Sequence, residues 1–139
     1  MKKLLLAFLF VAVASVLVEN AQAQLIIANP NVKASDVSKS ELKDVFTGSA
    51  SSLKDGSHVT PVILKAGSTN DEFLAAYVGK ADAAFRASWR SLVFSGEATM
   101  PKQLETDAAM VDFVAHNPGA IGYISKSSTH EGVKVLPVR

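Results

Sequence analysis

No cysteine occurs anywhere in the 139 residues. That excludes disulfides, thiol catalysis and cysteine-ligated metals, so the fold must be held by its core alone. Histidine is nearly as scarce. His58, His116 and His130 lie far apart, and none belongs to an HExxH pair, so no metal ligand set is assigned. His116 falls near a helix C-terminus, where the helix dipole accounts for it. Serine, histidine and aspartate are all present, but no GxSxG elbow accompanies them. Basic residues form no block, and the formal charge is only +1, which argues against nucleic acid as a partner. The sequence therefore assigns no catalytic residue and no cofactor, and the chain does not read as an enzyme.

The first residues read as a targeting device. Lys2 and Lys3 precede an apolar run from Leu4 to Val18, broken only by Ser15, and Ala21-Gln22-Ala23 supplies a small-x-small cleavage site. Glu19 and Asn20 end the run short of the roughly 20 apolar residues that a membrane anchor needs. The expectation is a signal peptide over residues 1–23, cleaved near Ala23, and a periplasmic or secreted protein. With no cysteine after the run, no lipid anchor follows. The mean hydropathy of +0.22 owes much to this segment. Without Lys2, Lys3 and Glu19 the formal charge falls to about zero. About 116 residues remain, enough for one domain with one core.

Within residues 24–139 strands and helices interleave, with no internal repeat and no linker. Leu25 to Ala28 reads as a buried strand closed by Asn29-Pro30. Ser38 and Glu41 form a capping box, Val37 and Leu42 occupy staple positions, and Leu42, Val45 and Phe46 make the apolar face of a helix ended by Gly48. After the Asp55-Gly56 turn, Val59 to Leu64 reads as a second strand, with Pro61 implying an edge position or a late start to pairing. Thr69 and Glu72 suggest another capping box, followed by the face Phe73, Leu74, Tyr77 and Val78 and a stop at Gly79. Ala81 to Leu92 reads as a third helix, Phe94 to Lys102 as a loop, and Thr106 as the cap of a fourth helix. That helix carries Met110, Val111, Phe113 and Val114 and stops at Asn117-Pro118-Gly119. Ala120 to Ile124 and Val133 to Val138 read as the last strands. Trp89, Phe85 and Phe94 are expected in the core. This order favours an α/β sandwich with a mixed sheet.

One stretch has a clear chemical use. Gly67-Ser68-Thr69 sits between a strand and a helix start, where free N–H groups and the helix dipole attract an anion. The alternative is that the two hydroxyls only cap the helix. Lys65, Arg86 and Arg90 are the cations that could assist, although exposed arginines on amphipathic helices are usually just solvated.

The motif order resembles a known family. Ser40-Glu41-Leu42-Lys43-Asp44-Val45-Phe46-Thr47-Gly48, then Asp55-Gly56 before Val59 to Leu64, then Gly67-Ser68-Thr69 with Phe73, then Trp89 to Gly96, then Asn117-Pro118-Gly119-Ala120-Ile121-Gly122-Tyr123 are similar to segments of the periplasmic phosphate-binding proteins of ABC transporters. The resemblance implies a single periplasmic-binding-protein-like α/β lobe over 24–139, with a mixed sheet flanked by helices. Only the second lobe of the family's two-lobed clamshell is matched. It further implies that Gly67, Ser68 and Thr69 correspond to the phosphate loop, although Gly-Ser-Thr here replaces the family's Ser-Gly-Thr. The family's arginine before that loop is missing, and Lys65 is the nearest cation.

Two readings follow. In the first, the chain is an extracytoplasmic solute-binding protein for phosphate or a related oxyanion, held weakly by Gly67, Ser68, Thr69 and Lys65, with an ABC-transporter permease or a second-lobe protein as partner. In the second, it is a non-catalytic interaction module that has lost tight ligand binding and docks a protein partner or itself as a homodimer.

Overall fold

The structure is a computed structural model and describes residues 24–139. The expected signal peptide and its cleavage site lie outside the described residues. Five strands form one sheet: β1 (Gln24–Ala28), β2 (Thr60–Leu64), β3 (Lys102–Leu104), β4 (Ala120–Ser125) and β5 (Lys134–Val135). Their order is β3-β2-β4-β1-β5. β2 runs parallel to β3 and β4, while β1 is antiparallel to both β4 and β5. The sheet is mixed, as expected. The helices are α1 (Lys39–Phe46), α2 (Ser68–Phe73), α3 (Asp82–Phe94) and α4 (Asp107–His116). A π-helical turn, Leu74–Val78, continues α2 without a break.

The strand β4 decides how the layers stack. Successive side chains on a strand face opposite ways. A Cβ added at Gly122 would come within 2.5 Å of Met110 on α4, so α4 is pressed onto that face of the sheet. Tyr123, the next residue, points the other way. Its ring stacks on Phe73 of α2 at 3.8 Å between centroids and meets Phe46 of α1 edge-on. The indole N–H of Trp89 donates to the Phe46 carbonyl at 2.9 Å, which sets α3 beside α1 on the same side. Helices thus cover both faces, and one continuous buried cluster runs through all three layers.

The Ser38 capping box is present with both reciprocal bonds, and Val37, Leu42, Val45 and Phe46 are all buried. Four expectations need correction. Thr69 and Glu72 make no capping box. The helix already begins at Ser68, its N-cap is Gly67, and no side chain caps it. The Glu72 carboxylate is instead held by the Gln24 side-chain amide at 2.6 Å. Next, Pro61 does not mark an edge, because β2 lies between β3 and β4. Pairing with β3 starts only at Val62, so Pro61 owes β3 no donor and the late start holds. Then α3 runs on to Phe94, and the supposed loop after it ends in β3, whose three residues are partly or fully exposed. Finally, Phe94 is not core. It is 95% exposed, on the side of α3 opposite Phe85 and Trp89.

Glu41 ties α1 to the rest of the chain. Its carboxylate accepts from the Ser38 and Lys54 backbone amides at 2.9 and 2.8 Å and pairs with Arg139 at 3.3 Å. Burial by itself would raise its pKa. The two amides, the Ser38 hydroxyl and Arg139 outweigh that and hold it below the usual carboxylate value. A depressed folded pKa means stability that is present above the unfolded value and lost as pH falls through the folded one. Glu41→Ala should therefore cost about 1–2 kcal/mol at neutral pH, and the gap to wild type should narrow below about pH 4. Urea unfolding across pH measures this; a pH-independent gap would contradict it.

Candidate functional site

The chain leaves β2 toward α2 on one face of the sheet, and leaves β3 toward α4 on the other. Where neighbouring parallel strands send their connections to opposite faces, a crevice opens at their C-terminal ends, the usual ligand position in open α/β sheets. Here that crevice lies between Lys65–Asn70 and Glu105–Asp107, which line a shallow hollow of about 120 Å³. Liquid water takes about 30 Å³ per molecule, so the space suits a few waters or one small ion. It is too small for a typical organic ligand, whose pockets run to about 300–1,000 Å³.

All four residues singled out from the sequence bracket this hollow. Gly67 is extended (φ 162°, ψ 179°), and a Cβ placed on it would meet nothing within 4 Å. Its conformation is open to any residue, so the glycine is not there to relieve strain. The backbone N–H groups of Gly67, Ser68 and Thr69 find no acceptor among the described residues. Gly67 and Ser68 are exposed and Thr69 is half-buried. The purely capping role considered for the two hydroxyls does not occur. Lys65, more than half exposed, pairs with Glu105 at 3.3 Å.

What fixes the loop is a buried polar chain that local sequence reasoning missed. The Tyr123 hydroxyl accepts from the Leu64 N–H at 3.0 Å and donates to Asn70 Oδ1 at 2.5 Å. The Asn70 side-chain amide donates to Asp82 Oδ1 at 2.7 Å. Both Asp82 oxygens then take the Arg86 Nε–H, at 2.9 and 3.0 Å. Arg86 also donates to the Leu64 carbonyl at 2.9 Å and to Gln103 at 2.5 Å, bridging β2 and β3 just behind the hollow. Burial drives the Tyr123 pKa strongly up, so this hydroxyl stays protonated and keeps its donor. Arg86, considered as a ligand, is therefore spent on its own protein. Arg90 is exposed on α3, away from the hollow.

Glu105 and Asp107 were also missed. The Asp107 carboxylate accepts from the Ser125 N–H at 3.0 Å and the Ser128 hydroxyl at 2.5 Å. With Lys65 as the one cation and these two carboxylates, the lining carries a net charge of −1. Among the described residues no cluster of acidic or histidine side chains could hold a metal ion.

No protein-family model matches the chain, and no curated protein matches it either. Solved structures do. One, described as a phosphate ABC transporter substrate-binding protein with bound phosphate from Clostridium perfringens, superposes with a TM-score of 0.64 at 24% identity, over 84% of this chain and 44% of its own. An ABC-type phosphate transport receptor from Vibrio cholerae gives 0.64 at 18%, over 84% and 46%. PstS from Borrelia burgdorferi gives 0.54 at 16%, over 84% and 47%. The fold is that of one periplasmic-binding-protein-like lobe. The chain spans less than half the length of these structures.

The buried chain makes a testable demand. Tyr123→Phe keeps the ring stacked on Phe73 but strips the partner from the buried Leu64 N–H and from Asn70. A cost of about 1–3 kcal/mol is expected from urea unfolding. A loss below about 0.5 kcal/mol would mean the hydroxyl does not brace the loop.

Proposed function

We propose that the chain is an extracytoplasmic, non-enzymatic solute-binding domain for phosphate or a related tetrahedral oxyanion, with residues 24–139 forming a single lobe. The observation that carries this reading is the row of amides at Gly67, Ser68 and Thr69, unpaired among the described residues and seated at the switch point of the sheet. Unpaired amides at a helix start with two adjacent hydroxyls are donors that an electron-rich ligand can satisfy. The size of the hollow favours a small ion. The fold likeness to phosphate-binding transport proteins supports the same class, and a transporter permease is the partner it suggests. The signal-like first 23 residues support export, and among the described residues no helix is long and apolar enough to cross a membrane.

The charges decide how strong the binding should be. Lys65 is already paired, and the lining is net negative, so the amide and hydroxyl dipoles must carry the ligand. Each hydrogen bond to a charged ligand contributes roughly 1.5–3 kcal/mol. A handful of such bonds, opposed by two carboxylates, supports weak binding rather than the capture of traces.

Calorimetric titration with inorganic phosphate tests this. Ser68→Ala and Thr69→Ala should each weaken binding about tenfold or more, which is what the loss of one such bond implies. Glu105→Gln, which frees Lys65 and removes one negative charge, should tighten it several-fold. Absence of heat at millimolar phosphate, in wild type and Glu105→Gln alike, would contradict the proposal.

A further inference from the structure

Among the described residues the exposed large hydrophobics are Val93 and Phe94, the last two residues of α3, and Met100 in the segment that follows. A single exposed apolar side chain needs no explanation, but a cluster does. Phe94 is 95% exposed. At 100° per residue it stands opposite Phe85 and Trp89, the two side chains that anchor α3 to the core. Ala83 and Ala87 lie on the same outer stripe and are also exposed, leaving room for another backbone to approach.

Two charges flank this stripe. Arg90 stands one turn before Phe94, is exposed, and makes no ion pair among the described residues. Glu97 follows three residues after Phe94. It is placed by a tight turn in which the Gly96 and Glu97 N–H groups bond back to Val93 and Leu92, and among the described residues its carboxylate holds only the Ser95 hydroxyl. One positive and one negative group on opposite sides of an apolar centre make a self-complementary surface. Under a two-fold axis at Phe94, Arg90 of each copy meets Glu97 of the other.

We propose that the outer face of α3, centred on Phe94, is the contact between two copies of this chain. None of Arg90, Val93, Phe94 and Glu97 on this face lines the hollows beside Gly79, Ala115, His58 or Gly67. Its charges are balanced rather than basic, which does not suit an anionic membrane surface. A second copy has the matching charges and a matching apolar centre. α3 starts beside the hollow, where Asp82 holds Asn70, and runs away from it for 13 residues, about 20 Å. The contact therefore leaves the candidate site open.

One helix face buries less than the roughly 800 Å² per partner of a standard interface, so the dimer is weak and depends on concentration. Sedimentation velocity from about 1 µM to about 1 mM should follow it. The protein is expressed from its full sequence and purified in processed form. The mean mass should rise toward twice the monomer value, and F94E should stay monomeric throughout, with an unchanged far-UV spectrum because Phe94 contacts no core. R90E and E97R should each weaken association at least about tenfold. Mixed in equal amounts, the two single variants should associate with each other, because their interface again holds two pairs of opposite charges. A wild-type protein that stays monomeric to about 1 mM would overturn the proposal. So would an F94E variant that dimerises like wild type, or single variants that pair no better mixed than alone.

Discussion

The start of α2 leaves three backbone donors without a partner among the described residues, and the side chain of Asn70 fixes that turn. It is almost fully buried, gripped on one side by Tyr123 and on the other by Asp82. A buried amide without partners costs more than a bonded one gains, so breaking either contact is strongly opposed. Asn70 is the third residue of α2. Fixing its side chain fixes the turn before it, and with it the direction in which the Gly67, Ser68 and Thr69 amides point.

That brace is linked to the architecture. Tyr123 reaches Asn70 because β4 lies next to β2 and because Gly122, its neighbour, lets α4 close against the other face. Arg86 ties the same chain to the ends of both β2 and β3. Its charge is consumed in that role, which is why the hollow beside it carries no free guanidinium. Positive charge serves here to hold the loop, and in the proposed function only the amide and hydroxyl dipoles remain to hold an anion. A site built this way is rigid and modest in strength.

Much of this was legible in the sequence where the determinants are local. Ser38 and Glu41 announce α1 because a capping box closes within four residues, and Asn117-Pro118-Gly119 stops α4 by backbone chemistry alone. The position of Gly67 to Thr69 between a strand and a helix was readable for the same reason. Features set by distant parts of the chain were not. β3 has three residues and little burial, so it exists only because β2 lies alongside. Thr69 and Glu72 had the spacing of a cap, but the start of α2 is set by Asn70 from within, and Glu72 is taken by Gln24. Phe94 continues the sequence of Phe85 and Trp89 without sharing their face. Beyond Asp82, one turn earlier on its own helix, the partners of Arg86 lie on β2 and β3, outside any local pattern.

The proposed function requires the Gly67, Ser68 and Thr69 amides, braced through Asn70, to be free to donate to an anion. Nitrogen–proton correlation spectra recorded through a phosphate titration address it residue by residue. Saturable shifts largest at these three amides are expected, while the Tyr123 and Asn70 side-chain environment stays fixed. Shifts confined to other surfaces, or none at these amides at millimolar phosphate, would contradict it.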